Sequence, residues 1–168
     1  MNQEKLVYIG LGSNLGDKKN NIKQAISLIQ ENHKLISISS FYKSEPLGYK
    51  SNASFINAVI CIGSRENVIN LFKELKNIES FLGRTEKKTN QYEDRIIDLD
   101  ILFFGNDIID NELITIPHIE IPNRKFVLEP LFEIAPKLIH PTKNETIKTL
   151  LQKCRDVSKI EQITIDFS

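Results

Sequence analysis

Between Arg95 and Phe104 the chain alternates between two faces, with Ile97, Leu99, Ile101 and Phe103 on one and Ile96, Asp98, Asp100, Leu102 and Phe104 on the other. Such a segment must be a strand with one face against a core, and its other face carries two carboxylates aimed the same way. Like charges at that spacing repel unless a cation lies between them. Carboxylate oxygens suit magnesium, which typically keeps waters and phosphate oxygens among its ligands. A strand whose polar face simply meets water would read the same. The surrounding cations favour the metal reading: Arg84 and Arg95 precede the pair, and His118 and Arg124 follow it.

Around this strand the chain reads as one layered domain spanning residues 1–168. Lys5 to Gly10 is strand-like and leads into Gly12-Ser13-Asn14-Leu15-Gly16, read as a glycine-rich turn. Its glycine spacing does not match GxGxxG, and a tight turn competes with a role in lining a site. Ile22, Ala25, Ile26 and Ile29 then form one helix face. Lys34 to Tyr42 is expected as a second strand and Ser54 to Ile62 as a third, with the turn-like Ser44-Glu45-Pro46-Leu47-Gly48 between them. A helix capped by Ser64 carries Val68, Leu71, Phe72, Leu75, Ile78 and Leu82 on its buried stripe and stops at Gly83.

Residues 84–94 are nearly all polar and are expected to form a mobile surface loop. Gly105-Asn106-Asp107 turns the chain after the acidic strand. Short β pieces near Ile108 and Thr115, a Pro117-His118 corner, a helical Pro130-to-Ala135 segment, a last helix through Ile147, Leu150, Leu151 and Cys154, and a strand near Ile160 to Ile165 complete the reading. Strands come together first and are then separated by helices, so the expected fold is α+β and ferredoxin-like, a mainly antiparallel sheet covered by helices.

Lys and Arg number 22, as do Asp and Glu, so the overall field does not favour nucleic acid or an anionic membrane. An RNA-reading sheet also needs paired aromatics and a neutral or basic face, where this chain has acids. The N-terminus has no apolar signal core, and no apolar run is long enough to span a bilayer. A cytoplasmic protein is expected. Cys61 and Cys154 read as reduced core thiols, and His33 and His140 as surface residues.

Asn57 interrupts an apolar strand and shares a face with Phe55. Its amide belongs either to a satisfied core or to the reading of a flat heterocycle's edge. Phe126 is equally open between core and stacking platform.

The ordered set Gly12-Ser13-Asn14-Leu15-Gly16, Phe41-Tyr42, Ser44 to Gly48, Phe55-Ile56-Asn57-Ala58, Glu79, Gly83-Arg84, Arg95-Ile96-Ile97-Asp98-Leu99-Asp100-Ile101, Pro117-His118, Asn123-Arg124, Phe126, Pro130-Leu131 and Glu133 to Pro136 resembles the 6-hydroxymethyl-7,8-dihydropterin pyrophosphokinase family. The resemblance runs from about Leu6 to about Leu151, and its R-x-x-D-L-D-I block followed by P-H and N-R is specific in combination.

It implies a ferredoxin-like enzyme of folate biosynthesis that moves the β,γ-diphosphate of ATP onto the pterin hydroxymethyl group and releases AMP. Asp98 and Asp100 would hold two magnesium ions. Phe55 and Phe126 would sandwich the pterin, with Ser44, Asn57 and the Pro46-Leu47 backbone at its edge. Arg84, Arg95, His118 and Arg124 would grip phosphates, Arg84 and Arg95 also serving catalysis, while Glu79 and the backbone near Ile101 and Thr115 would meet the nucleotide. The implied partners are these two small molecules, and a monomer is expected.

Glu86 stands where the family usually has a second loop arginine, with Lys87 or Lys88 as substitutes, and the loop is one residue longer. Tyr92 replaces a tryptophan, and Ile119 stands where a tyrosine can occur. A non-catalytic metabolite sensor on the same fold is the rival reading.

Overall fold

Strand β1 (Lys5–Ser13) lies between β4 (Phe55–Ser64) and β5 (Asp98–Phe104), antiparallel to both. The computed structural model describes residues 3–45, 53–83 and 94–164. β2 (Lys34–Ile38) and β3 (Phe41–Ser44) pair in succession along the other side of β4, and β10 (Ile160–Ile163) pairs with β3. The six-stranded sheet therefore runs β10-β3-β4-β1-β5, with β2 also on β4, and every pairing is antiparallel. Two small hairpins, β6 (Ile109–Asp110) with β7 (Thr115–Ile116) and β8 (Ile139–His140) with β9 (Glu145–Thr146), lie outside it.

Helices cover both faces of the sheet. α1 (Lys18–Gln30) buries Ile22, Ala25, Ile26 and Ile29, as its 3.6-residue pattern requires. It joins α2 (Val68–Phe81) over a core built from Val7, Ile9, Ile60 and Leu99. On the other face, Leu128 and Leu131 of α3 (Lys125–Ile134) and Ile147 and Leu150 of α4 (Ile147–Lys153) pack on Val59, Leu102 and Phe103. This is the expected α+β arrangement.

Local details depart from expectation. The strand predicted through Tyr42 is broken: Ser39 to Phe41 oppose only Ala58 and Val59 between the pairs Ile38↔Ile60 and Tyr42↔Asn57. Ser39 stays with β4, its hydroxyl accepting the Val59 amide at 2.9 Å, while the Ser40 amide turns away to Glu133 of α3. α2 is capped by Asn67, whose side chain accepts the Asn70 amide at 2.8 Å, and not by Ser64, the last residue of β4. Gly83 does stop the helix region, at φ +103°. β1 continues through Ser13, so the tight turn falls later, at Gly16 with φ +69°.

A bulge in β5 changes the pleat. Ile9 faces Ile101 but Tyr8 faces Phe103, so Leu102 is an extra residue. Alternation flips there: Phe104 joins Leu99 and Ile101 beneath α1 and α2, and Phe103 goes to the opposite face, the reverse of the strict-alternation reading.

Both histidines expected at the surface are buried. His33 places Nε2 2.7 Å from Glu74 of α2. His140 packs edge-on against Phe103, and its Nδ1 accepts the amides of Thr142 and Lys143. Cys61 is buried and Cys154 half-buried, both free thiols. Among the described residues no helix is long and apolar enough to cross a membrane.

Burial, reinforced by Lys143, pushes the His140 imidazole below its ordinary value of 6.5 against the pull of its backbone hydrogen bond. The unfolded chain then binds this proton more readily, so stability is lost as pH falls from 6.5 toward the folded value. His140→Gln should reduce that acid-side slope in urea-unfolding midpoints measured between neutral and mildly acidic pH. An unchanged slope would show that His140 is not a source of it.

Candidate active site

The floor of the cleft that Asp98 and Asp100 line is set by two absences on β1. Gly12 is flanked across the sheet by Asn57 and Asp98, and Gly10 by Val59 and Asp100. Alternate residues of a strand share a face. Glycines at both positions therefore remove the side chains that would fill the middle of these rows. One row further, Tyr8 stands between Cys61 and Phe103, its ring edge-on to Phe103. The Gly10-x-Gly12 spacing is thus a strand feature that clears a floor. A Cβ on Gly12 would lie 3.1 Å from Asn57 Oδ1 and 3.6 Å from the Phe55 ring.

Asp98 and Asp100 line one side of this cleft, half-buried, while Ile97, Leu99 and Ile101 between and beside them are sealed in the core. The Arg95 guanidinium pairs with Asp98 Oδ2 at 3.1 Å. Arg95 is itself held by Asn14: its amide donates to Asn14 Oδ1 at 2.6 Å, and the Asn14 amide donates to its carbonyl at 3.0 Å. The Asn14 side chain also donates to Asp94 at 2.8 Å. Asn14 is only 1% exposed, so this residue, read from sequence as part of a turn, anchors the segment that enters β5.

His118, Arg124 and Phe126 form the facing wall. The His118 amide donates to the Leu102 carbonyl at 3.0 Å, tying the corner after the cis Ile116-Pro117 bond to β5. Its Nδ1 accepts the Glu120 amide at 3.2 Å, which leaves the neutral ring its proton on Nε2. Burial first, then Arg124, pushes the imidazole below its ordinary value, while Asp98 and Glu120 oppose the shift. The Arg124 guanidinium lies 5.7 Å from the Phe126 ring centre and pairs with Glu120 at 3.5 Å. Glu120, not singled out in the sequence, also lines the cleft.

At the other end, Asn57 donates from Nδ2 to the Ser44 hydroxyl at 2.6 Å, and both residues are buried. Phe55 and Phe126 are only half-buried and both line the cleft. Three residues expected at the nucleotide, Ile101 and Thr115 through nearby backbone, are not among those lining this cleft. Ile101 is buried in the α1/α2 core, and Thr115 is an exposed residue of β7 whose hydroxyl donates to Asp110 at 3.2 Å. Glu79 is 3% exposed on α2 and accepts the Leu99 amide at 2.7 Å and the Lys76 ammonium at 3.1 Å. Arg84, Pro46, Leu47, Glu86, Lys87, Lys88 and Tyr92 lie outside the described residues.

Two carboxylates on one face of a strand, opening into a cleft with two arginines and a histidine, are oxygen donors that fit magnesium. Among the described residues no group of three or more His, Cys, Asp or Glu is placed to hold a metal ion, so the paired carboxylates would be its protein ligands. A cation held here would keep positions for water or phosphate. Fold and cleft together define an α+β protein whose cleft sets paired carboxylates and cationic side chains beside partly exposed aromatic rings.

The profile of the 7,8-dihydro-6-hydroxymethylpterin-pyrophosphokinase (HPPK) family matches residues 8–136. A 2-amino-4-hydroxy-6-hydroxymethyldihydropteridine pyrophosphokinase of Haemophilus influenzae is 40% identical over 156 residues, covering 92% of this chain and 96% of that protein. One of Bacillus subtilis is 36% identical over 136 residues, covering 79% and 80%. The chain therefore belongs to the HPPK family. Its fold also matches a crystal structure of Plasmodium falciparum HPPK-DHPS, with a TM-score of 0.73 over 91% of this chain at 16% identity, and spans 44% of that longer chain.

The Glu79 contact is testable through stability. Glu79→Ala leaves the buried Leu99 amide without its acceptor and should cost about 1–3 kcal/mol in urea unfolding, whereas Glu79→Gln, which keeps an acceptor, should cost clearly less. Equal losses would show that the hydrogen bond is not what Glu79 contributes.

Proposed function

We propose that this chain transfers the β,γ-diphosphate of ATP to the hydroxymethyl oxygen of 6-hydroxymethyl-7,8-dihydropterin, releasing AMP, in folate biosynthesis. The observation that carries this reading is the cleft itself. Asp98 and Asp100 on β5 face Phe55, Asn57 and Ser44 across the glycine floor of β1.

The pterin ring lies between Phe55 and Phe126, whose incomplete burial leaves ring surface available for stacking. Asn57, oriented by Ser44, presents its remaining amide groups to the ring edge, and backbone groups of Pro46 and Leu47 complete that edge. Asp98 and Asp100 hold two magnesium ions, which when bound offset phosphate charge and orient the triphosphate. Arg95 and Arg84 neutralise charge on the transferring group, and Arg124 and His118 hold the phosphates from the facing wall. Main-chain groups near Ile101 and Thr115 meet the adenine. Glu79, which holds the Leu99 amide, contributes to the nucleotide site.

The hydroxymethyl oxygen attacks the β-phosphorus as the bond to the α-phosphate oxygen breaks. The hydroxyl proton passes to solvent, and AMP leaves with the bridging oxygen. Positioning and fixed charge account for the acceleration, as expected for phosphoryl transfer. Residues 1–168 act as one unit, since the sheet joins β1 through β3 to β10. A monomeric enzyme working in the cytoplasm belongs to the same proposal.

Magnesium-dependent AMP release in a coupled assay with ATP and the pterin tests this against a non-catalytic sensor. Asp98→Ala and Asp100→Ala should each lower kcat at least about 100-fold with little change in Tm, because a part-exposed ion pair contributes little stability. Near-normal turnover in either variant would refute the metal assignment. Gly12→Ala, by displacing Asn57, should raise the pterin KM about tenfold and leave the ATP KM nearly unchanged. Equal effects on both substrates would show that the glycine does not shape the ring pocket.

A further inference from the structure

Resting on the functional reading above, we propose that Asp156 is a positioning residue for the pterin pocket, the anchor of a C-terminal strap that fixes α3 against β3. Phe126 stands in the first turn of α3, yet that helix lacks a cap of its own: Arg124 occupies the cap position without a side-chain hydrogen bond. The acceptor comes from 31 residues further along. Asp156 Oδ2 takes the Lys125 amide at 3.0 Å, and Oδ1 takes the amide and hydroxyl of Ser158. A carboxylate there satisfies an exposed helix donor and meets the positive end of the helix dipole. Burial pushes the Asp156 carboxyl up, but the Ser158 hydroxyl and the Lys125 and Ser158 amides outweigh it and hold the group below the usual carboxylate range.

The same segment grips the other side of the pocket. After Ser158 the chain enters β10, where Ile160 pairs with Ser44, the residue that orients Asn57. Gln162 donates to the Ser40 hydroxyl at 2.9 Å, and Ser40 and Tyr42 both donate to Glu133 of α3, the latter at 3.0 Å. The connections close a ring from α3 through Asp156, β10 and β3 to Glu133 and back to α3. That ring sets the separation between Phe126 on one wall and Ser44 with Phe55 on the other. The family profile ends at residue 136, so the strap lies beyond the matched segment.

The test is pterin affinity measured calorimetrically with magnesium and a non-hydrolysable ATP analogue, beside steady-state kinetics. Asp156→Ala should weaken pterin binding about five- to tenfold, with kcat at saturating pterin within about threefold of wild type. Asp156→Asn, which keeps an acceptor for Lys125, should restore binding to within about twofold. Asn67→Ala serves as control, since it removes the cap of α2 on the opposite face of the sheet. It should lower Tm comparably and leave pterin affinity unchanged. If Asp156→Ala matched Asn67→Ala, losing Tm but not pterin affinity, the strap proposal would be overturned while the enzymatic reading stood. A wild-type chain that released no AMP would overturn both.

Discussion

A central strand that carries no side chains on one face over two alternate positions is the constraint on which the cleft depends. In a packed sheet the middle strand normally fills its rows, and here Gly10 and Gly12 leave them empty between Asn57 and Asp98 and between Val59 and Asp100. The groove is a consequence of missing atoms on a strand paired on both sides. β-Pairing on both sides of β1 sets the separation between the two acids and the Asn57 amide. The opposite face of the same strands, with Val7, Ile9 and Leu11, is continuous core. One strand thus supplies stability on one side and an opening on the other.

Around that floor, polar groups are spent on holding backbone. Asn14 fixes Arg95 from two directions, and Glu79 takes the amide of Leu99, between the paired acids. The carbonyl of Leu102 receives the His118 amide and so joins the facing wall to β5. Buried polar groups of this kind must be satisfied to be tolerated, and once satisfied they specify a single arrangement. The side chains proposed to handle phosphate are thereby held by neighbours that need not touch substrate.

The bulge at Leu102 shows how one extra residue serves both halves of the structure. Asp98 and Asp100 face the cleft under regular alternation, and the pleat then changes so that Phe103 packs on Tyr8 and His140 while Phe104 returns to the core beneath α1 and α2. Without that change Phe103 would face the α1/α2 core and Phe104 the α3 and α4 side. A bulge also strengthens local twist.

Periodicity alone determined much of this protein. The stripes of α1 and α2, the strand that carries Asp98 and Asp100, and the α+β class follow from residue spacing, because burial of an apolar face is a local pattern. The ordered motifs also sufficed to name the family. Tertiary structure alone decided which positions meet. Gly10 and Gly12 read as punctuation until two strands flank them, and His33 and His140 read as surface until helix and aromatic ring cover them. The bond from the Leu99 amide to Glu79 has no mark in the sequence, and Asp156 had no signature because its partner at Lys125 is 31 residues away. Spacing in sequence encodes the face a residue belongs to. What lies against that face depends on long-range pairing, which no local pattern contains.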